Sequence, residues 1–264
     1  MKVLLIGDVV GKPGREAIKK IVPDFRKKHG IDFVACNAEN IAGGSGITID
    51  TANELLENKI DVITSGDHIW KKKELYKMLD EDNRILRPAN YPDECPGRGS
   101  TVVNSASGKK VAVVNVLGRV FMKNYTDCPF KTAEREIERL SQDTNIILVD
   151  IHAEATSEKI ALGRFLDGKA SIVYGTHTHV QTADEKILPN KTAYITDIGM
   201  TGPMDSVIGR TVNTIVEHFI KSMPAKFEVA AEDVELHGVL AEIDEDSGKA
   251  ISIKRVRERL LDYL

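Results

Sequence analysis

Residues 1–15 read MKVLLIGDVVGKPGR, and the order of residue types in this stretch decides the fold class. Lys2–Ile6 is a short apolar run without alternation, the pattern of a strand covered on both faces. It stops at Gly7-Asp8. Pro13 and Gly14 then open a helical pattern to about Lys28, with Ile18, Ile21, Val22 and Phe25 on one face. The same order recurs downstream. An apolar run at 32–36 leads into Asn37-Ala38-Glu39-Asn40, a Gly-rich loop and a helix at 48–58. A third run at 61–64 leads into Ser65-Gly66-Asp67-His68 and a helix at 71–79. Strands alternating with helices predict βαβ units and a largely parallel sheet, an α/β fold.

Further along, Ser100–Asn104 and residues 110–116 flank Ser105-Ala106-Ser107-Gly108 and read as a hairpin. Apolar runs at 145–150 and 170–174 end at His152 and at Gly175-Thr176-His177-Thr178-His179. A run at 192–195 precedes a Gly/Pro-rich loop. A helix at 210–219 and strands at 234–243 and 250–256 close the chain. Without a repeat or linker, residues 1–264 read as one domain, with room for a small cap inserted at about 85–130.

Bulk properties bound the function. The chain has 264 residues, 42% of them hydrophobic, enough for one sizeable core. Its 36 basic and 40 acidic residues leave a net charge of −4, so no broad basic field drives non-specific nucleic-acid binding. Cys36, Cys95 and Cys128 are odd in number and widely spaced, which fits reduced thiols in a cytoplasmic protein better than a disulfide framework or a zinc knuckle. The first apolar run is too short for a signal sequence, and nothing approaches the length of a membrane span.

Polar residues fall in a pattern. Successive strand-like runs lead to Asp8, Glu39-Asn40, Asp67-His68, His152 and His177/His179. In open α/β sheets, sites form beyond the carboxyl ends of strands. Each residue alone has an ordinary structural reading, as turn, helix cap or core histidine. Their convergence on equivalent strand ends does not. His177-x-His179 places two imidazoles on one side of an extended segment. Carboxylate, amide and imidazole together suit Mn, Fe or Zn better than Ca or Mg alone. The set exceeds what one tetrahedral ion needs, so two ions sharing a carboxylate are expected.

Other signals are weaker. Gly7–Pro13 lacks the spacing of a phosphate loop, and no GxGxxG follows the first strand. Gly43-Gly44-Ser45-Gly46 reads as a turn that could also offer N–H groups or Ser45 to a phosphate. Trp70 reads as core sooner than as a stacking platform. Arg119 and Arg164 are surface arginines that could hold an anion, and Lys71-Lys72-Lys73 reads as a solvated face.

The strings GDVVGKPGR (7–15), NAEN (37–40), GDHIW (66–70), DIHAEATSEK (150–159), GTHTHVQTAD (175–184) and ITDIGMTGP (195–203) resemble the YmdB-type branch of the calcineurin-like metallophosphoesterases. The resemblance covers nearly the whole chain. It implies a two-layered β-sandwich flanked by helices, with two metal ions, iron or manganese, at one sheet edge. Carried over, Asp8, Glu39, Asn40 and His179 hold the first ion. Glu39 bridges, and Asp67, His152 and His177 complete the second. His68 is the implied proton donor. The implied activity is phosphodiester hydrolysis on cyclic nucleotides, including 2′,3′-cyclic ones, in a protein that self-associates; 3′,5′-cyclic nucleotides and RNA ends also fit a two-metal site. One departure stands out. The family usually has Gly-Asn-His where this chain has Gly66-Asp67-His68, and the added charge is expected to raise the pKa of His68. Two rival readings are a metal-dependent amidohydrolase and a regulatory or RNA-binding protein with a vestigial site. The late position of the HxH pair argues against the first, and the near-complete ligand set against the second.

Overall fold

The computed structural model describes residues 1–263. The N-terminal third contains β1 (Lys2–Ile6), β2 (Asp8–Val9), α1 (Gly11–His29), β3 (Phe33–Asn37), α2 (Ile49–Glu57), β4 (Val62–Thr64) and α3 (Leu75–Glu81). Then come β5 (Ser100–Asn104), β6 (Lys110–Leu117), α4 (Pro129–Leu140), β7 (Ile147–His152), α5 (Thr156–Phe165) and β8 (Ile172–Thr176). The last third holds β9 (Lys186–Ile187), β10 (Ala193–Ile195), β11 (Met200–Pro203), α6 (Val212–Lys221), β12 (Val234–Ile243) and β13 (Ala250–Arg259).

Two sheets form where the βαβ pattern alone predicted one. The first has seven strands, ordered β2-β11-β12-β1-β3-β4, with β13 paired to β12. The second has six, ordered β5-β6-β7-β8-β10-β9. The parallel expectation holds for β1, β3 and β4, and for β6, β7, β8 and β10. It fails at β12, which lies antiparallel to β1 with Leu5 opposite Val239.

Side-chain alternation builds the layers. Val3 and Leu5 of β1 join Val113, Leu148 and Ile172 in a core between the sheets. Leu4 and Ile6 face the other way, into a core shared with Ile18, Ile21 and Phe25 of α1. A third core sits where Ala133 and Ile137 of α4 and Leu162 of α5 cover Val114 and Val149. The result is the expected β-sandwich flanked by helices. Helix α1 ends at Gly30, which takes the left-handed conformation (φ 61°) that closes a helix. Helix α2 is started by a capping box between Thr48 and Thr51.

Residues 85–130 contribute β5 and β6 to the second sheet, and 118–128 run without helix or strand. Helix α3 begins at Leu75 rather than at 71, because a 3-10 turn at Ile69–Lys71 comes first. Among the described residues, no helix is long and apolar enough to cross a membrane.

Candidate metal centre

The carboxyl ends of strands from both sheets converge on one edge. Asp8 sits at the start of β2, fully buried, after a Gly7 whose added Cβ would lie 2.1 Å from the Gly199 carbonyl oxygen. Glu39 and Asn40 follow β3. The side-chain oxygen of Asn37 accepts from the Glu39 backbone N–H (3.1 Å), which turns the chain toward the site. Asp67 and His68 follow β4 through Gly66, where a Cβ would meet His152 Cδ2 at 2.1 Å and Glu39 Oε2 at 2.5 Å. His152 ends β7, and His177 and His179 follow β8.

These residues touch. Glu39, Asp67, His152 and His177 each offer a ligand atom, and the four atoms lie within 4.8 Å of one another. His152 Nε2 is 3.3 Å from Glu39 Oε1, 3.5 Å from Asp67 Oδ1 and 3.0 Å from His177 Nδ1. On the other side of Glu39, the Asn40 amide nitrogen is 3.2 Å from His179 Nε2, which is 3.8 Å from Asp8 Oδ1. His68 Nδ1 meets Asn40 Oδ1 at 2.9 Å and Glu39 Oε1 at 3.3 Å. All eight sequence-predicted site residues are therefore brought together.

The HxH geometry differs from expectation. Strand β8 stops at Thr176, and His177 (φ 97°) and His179 (φ 64°) both adopt left-handed backbone. Non-glycine residues pay for this conformation, and the surroundings must enforce it. Asp197 does so. Its Oδ2 accepts from the Thr178 N–H (3.1 Å) and hydroxyl (2.6 Å), and Lys159 holds the same oxygen at 2.7 Å. Lys159 and Asp197 are both fully buried.

Electrostatics favour cations at this edge. Asp8 Oδ1 and Asp67 Oδ1 are buried and lack a hydrogen-bond partner. A buried carboxylate oxygen left without a partner is costly, and a metal ion resolves the cost. Burial pushes the Asp8 carboxyl up. Burial opposes protonation of His152, yet the Glu39 and Asp67 carboxylates outweigh it and hold its imidazole well above the ordinary range. Burial, with adjacent His152, pushes His177 down to about 4. A neutral imidazole is what a metal ion requires. His68 is raised, as expected, but the larger cause is its hydrogen bond to Glu39, with Asp67 adding less. The residues present thus fit a metal pair.

A second layer went unread in the sequence. Thr176 Oγ1 joins His152 Nδ1 (2.9 Å) to Asp150 Oδ1 (2.8 Å). Glu154 Oε2 lies 3.1 Å from His177 Nε2. Arg210 donates to the Gly43 and Gly44 carbonyls, and a Cβ on Gly44 would strike its guanidinium. Arg210, Glu154 and His68 line an adjoining cavity of about 290 Å³. Arg119 and Arg164 are exposed and do not line it. Trp70 packs edge-on against Tyr76 and Tyr91, as a wall residue.

Comparison with known proteins agrees with this geometry. The chain is 46% identical to a Bacillus subtilis protein named 2′,3′-cyclic-nucleotide 2′-phosphodiesterase, over 97% of this chain and 96% of that one. A solved structure of a hypothetical protein from Thermus thermophilus superposes with a TM-score of 0.91 at 39% identity, covering 98% of this chain and 99% of that one. A structure described as a novel phosphatase from Mycoplasma pneumoniae gives 0.91 at 35% identity, covering 98% and 93%. The family model described as YmdB-like protein matches residues 4–256. By sequence, fold and the convergence of its polar strand ends, the chain belongs to the YmdB-like protein family.

Proposed function

We propose that the protein is a metal-dependent phosphodiesterase that hydrolyses 2′,3′-cyclic nucleotides. The observation that carries this reading is the pair of buried, unpartnered carboxylate oxygens, Asp8 Oδ1 and Asp67 Oδ1, on either side of Glu39. The name of the B. subtilis relative supports the substrate class. Asp8, Asn40, His179 and Glu39 would hold one ion, and Asp67, His152, His177 and the shared Glu39 the other. Iron or manganese suits this mixed oxygen and imidazole set. When bound, such ions polarise phosphoryl oxygens and lower the pKa of a water toward neutrality.

The chain's own groups then have distinct tasks. Water oxygen bonds to phosphorus while the bond to the ribose O2′ breaks, so O2′ needs a proton. His68 is placed to give it. Its Nδ1 is engaged by Asn40 and Glu39, its Nε2 lies 4.0 Å from Asp67 Oδ2 with no closer partner, and the ring lines the cavity. Glu39 also stabilises the protonated ring. Glu154 holds His177 from outside, and Arg210 adds positive charge to the cavity rim. RNA ending in a 2′,3′-cyclic phosphate presents the same reacting group.

We read residues 1–264 as one catalytic domain, with residues 118–128, free of helix and strand, inside the region where a cap was expected. Three free cysteines among the described residues support a cytoplasmic setting. Self-association is supported by α6, which buries only Ile215 and exposes Phe219 and Ile220.

The test is a substrate panel on metal-free protein reconstituted with Mn, Fe, Zn or Mg. Manganese or iron is expected to restore turnover of 2′,3′-cyclic nucleotides to 3′-monophosphates, ahead of 3′,5′-cyclic substrates. His68→Ala is expected to lose about 10²–10⁴ in turnover while retaining both metals. No turnover with any ion would overturn the reading, and full activity of His68→Ala would overturn the proton-donor role.

A further inference from the structure

A second polar cavity, of about 440 Å³, lies between the segment around Arg87–Ser100 and helix α4. It shares no lining residue with the cavity at the metal centre. Arg87, Arg98, Arg135 and Arg139 line it. The acids on its walls do not balance them. Glu136 is shared, meeting Arg139 at 2.8 Å and Arg135 at 3.6 Å. Asp80 is turned to the Gly97 N–H at 2.7 Å and takes Arg98 only through its backbone carbonyl, at 3.1 Å. Asp93 also lines the wall, but no guanidinium lies within 4.0 Å of it among the described ion pairs.

Arg87 is the anomaly. It is 4% exposed, yet among the described residues no carboxylate lies within 4.0 Å of its guanidinium. Its Nη1 donates to the Pro88 carbonyl at 2.9 Å and its Nη2 to the Pro92 carbonyl at 3.4 Å. Its Nε is buried with no partner at all. A guanidinium stays charged at neutral pH even when buried. A buried charge without a counter-charge is costly, and proteins relieve the cost by pairing it. Here the chain supplies carbonyls in contact, while Asp93 and Glu136 act on the guanidinium only from beyond 4.0 Å. Arg98 has no carboxylate partner either.

We propose that this cavity binds a phosphate-bearing anion, with Arg87 at its floor and Arg98 and Arg139 at its mouth. Guanidinium groups pair with phosphate through parallel N–H···O contacts, and several together favour a dianionic monoester over a monoanionic diester. The volume falls in the range of small-molecule sites and admits a nucleotide-sized ligand. The site is linked by packing to Trp70, two residues beyond His68. The two carbonyls that Arg87 holds bracket Ala89-Asn90-Tyr91, and Tyr91 packs on Trp70 at a centroid distance of 5.3 Å.

The test is calorimetric titration of inorganic phosphate into the metal-loaded protein, wild type against Arg98→Gln and Arg139→Gln. Both arginines are exposed; Arg98 holds only a backbone carbonyl, whereas Arg139 also meets Glu136 at 2.8 Å and the Ser100 hydroxyl at 2.7 Å, so the Arg98 variant is the cleaner of the two. The expected result is a phosphate-binding event weakened about tenfold or more by each substitution, with the metal content unchanged. Binding at the metal centre is distinguished because it survives both substitutions. If no binding event responds to Arg98 or Arg139, the proposal is overturned. Arg87→Met gives an independent check. Removing an uncompensated buried charge is expected to leave the phosphate-free protein as stable as wild type or more so, while abolishing the phosphate-dependent rise in Tm seen with wild type. An undiminished rise in that variant would also overturn the site.

Discussion

Glu154 stands two residues beyond His152, and its Oε2 lies 3.1 Å from the outer nitrogen of His177. The inner nitrogen, Nδ1, faces His152 and Asp67. A carboxylate on the outer nitrogen fixes tautomer and ring orientation and raises ligand basicity. Glu154→Gln is therefore expected to weaken metal binding by about 10- to 100-fold without loss of fold, as read by metal titration and elemental analysis. Unchanged affinity would mean that the carboxylate only neighbours the ring. Strand-end residues such as Asp8, Glu39 and Asp67 were legible because each follows an apolar run that announces its own end. Glu154 was not. Its contact depends on the left-handed turn at His177, whereas the HxH spacing alone reads as extended chain. Arg210 escaped for a related reason, since its partners, Gly43 and Gly44, are remote in sequence.

The turn that carries His177 and His179 rests on helix α5 and on the loop after β10. Lys159 reaches from α5 to Asp197, and that carboxylate also takes both donors of Thr178. Lys159→Met strands a fully buried carboxylate. Breaking such a pair from one side costs about 3–5 kcal/mol. The expected outcome is a lower urea midpoint together with loss of bound metal, since the turn is no longer held. A variant with wild-type midpoint and metal content would remove Lys159 from the site's support. Strand positions were readable from short apolar runs, and Val234–Ile243 matches its expected bounds. Helix α5 was harder to see. It buries Glu158 and Lys159 beside Leu162, so its inward face is not an apolar stripe. Glu158 accepts the Arg119 and Val120 N–H groups there. Buried polar support erases the periodicity by which a helix is read.

The whole molecule is two sheets whose partners are remote in sequence, and local pattern cannot name a strand's partner. Acid stability draws at this scale on carboxylates held by neighbouring side chains, Asp184 in the loop before β9 and Glu235 between β12 and β13. Burial would raise Asp184, but hydrogen bonds from Thr196 and Thr182 outweigh it and hold the carboxyl below its ordinary value. Burial of Glu235 is likewise outweighed by Arg257 and His237. A depressed folded-state pKa gives stability that is present above the unfolded value, near pH ~4, and lost as pH falls through the folded value. Asp184→Asn is expected to lower the urea midpoint at pH 7 and to flatten its fall between about pH 5 and 3. Equal falls in both proteins would reject the assignment. On the surface, Phe219 and Ile220 are 76% and 77% exposed, on a helix with one buried side chain. Phe219→Glu with Ile220→Glu is expected to convert an oligomer to monomer by sedimentation. A wild-type monomer would leave that face without a role in self-association. The antiparallel seat of β12 has a consequence in time. Every candidate ligand has left the ribosome once residue 179 has emerged, yet the strand that hydrogen-bonds along all of β1 is Val234–Ile243. The nascent chain therefore carries a complete set of ligands, and the parallel strands they follow, before the antiparallel neighbour of β1 and the β11 partner of Asp8 exist. The seat of Asp8, which lies on β2 beside Met200 of β11, is thus completed later in synthesis than the strand ends that carry the other ligands.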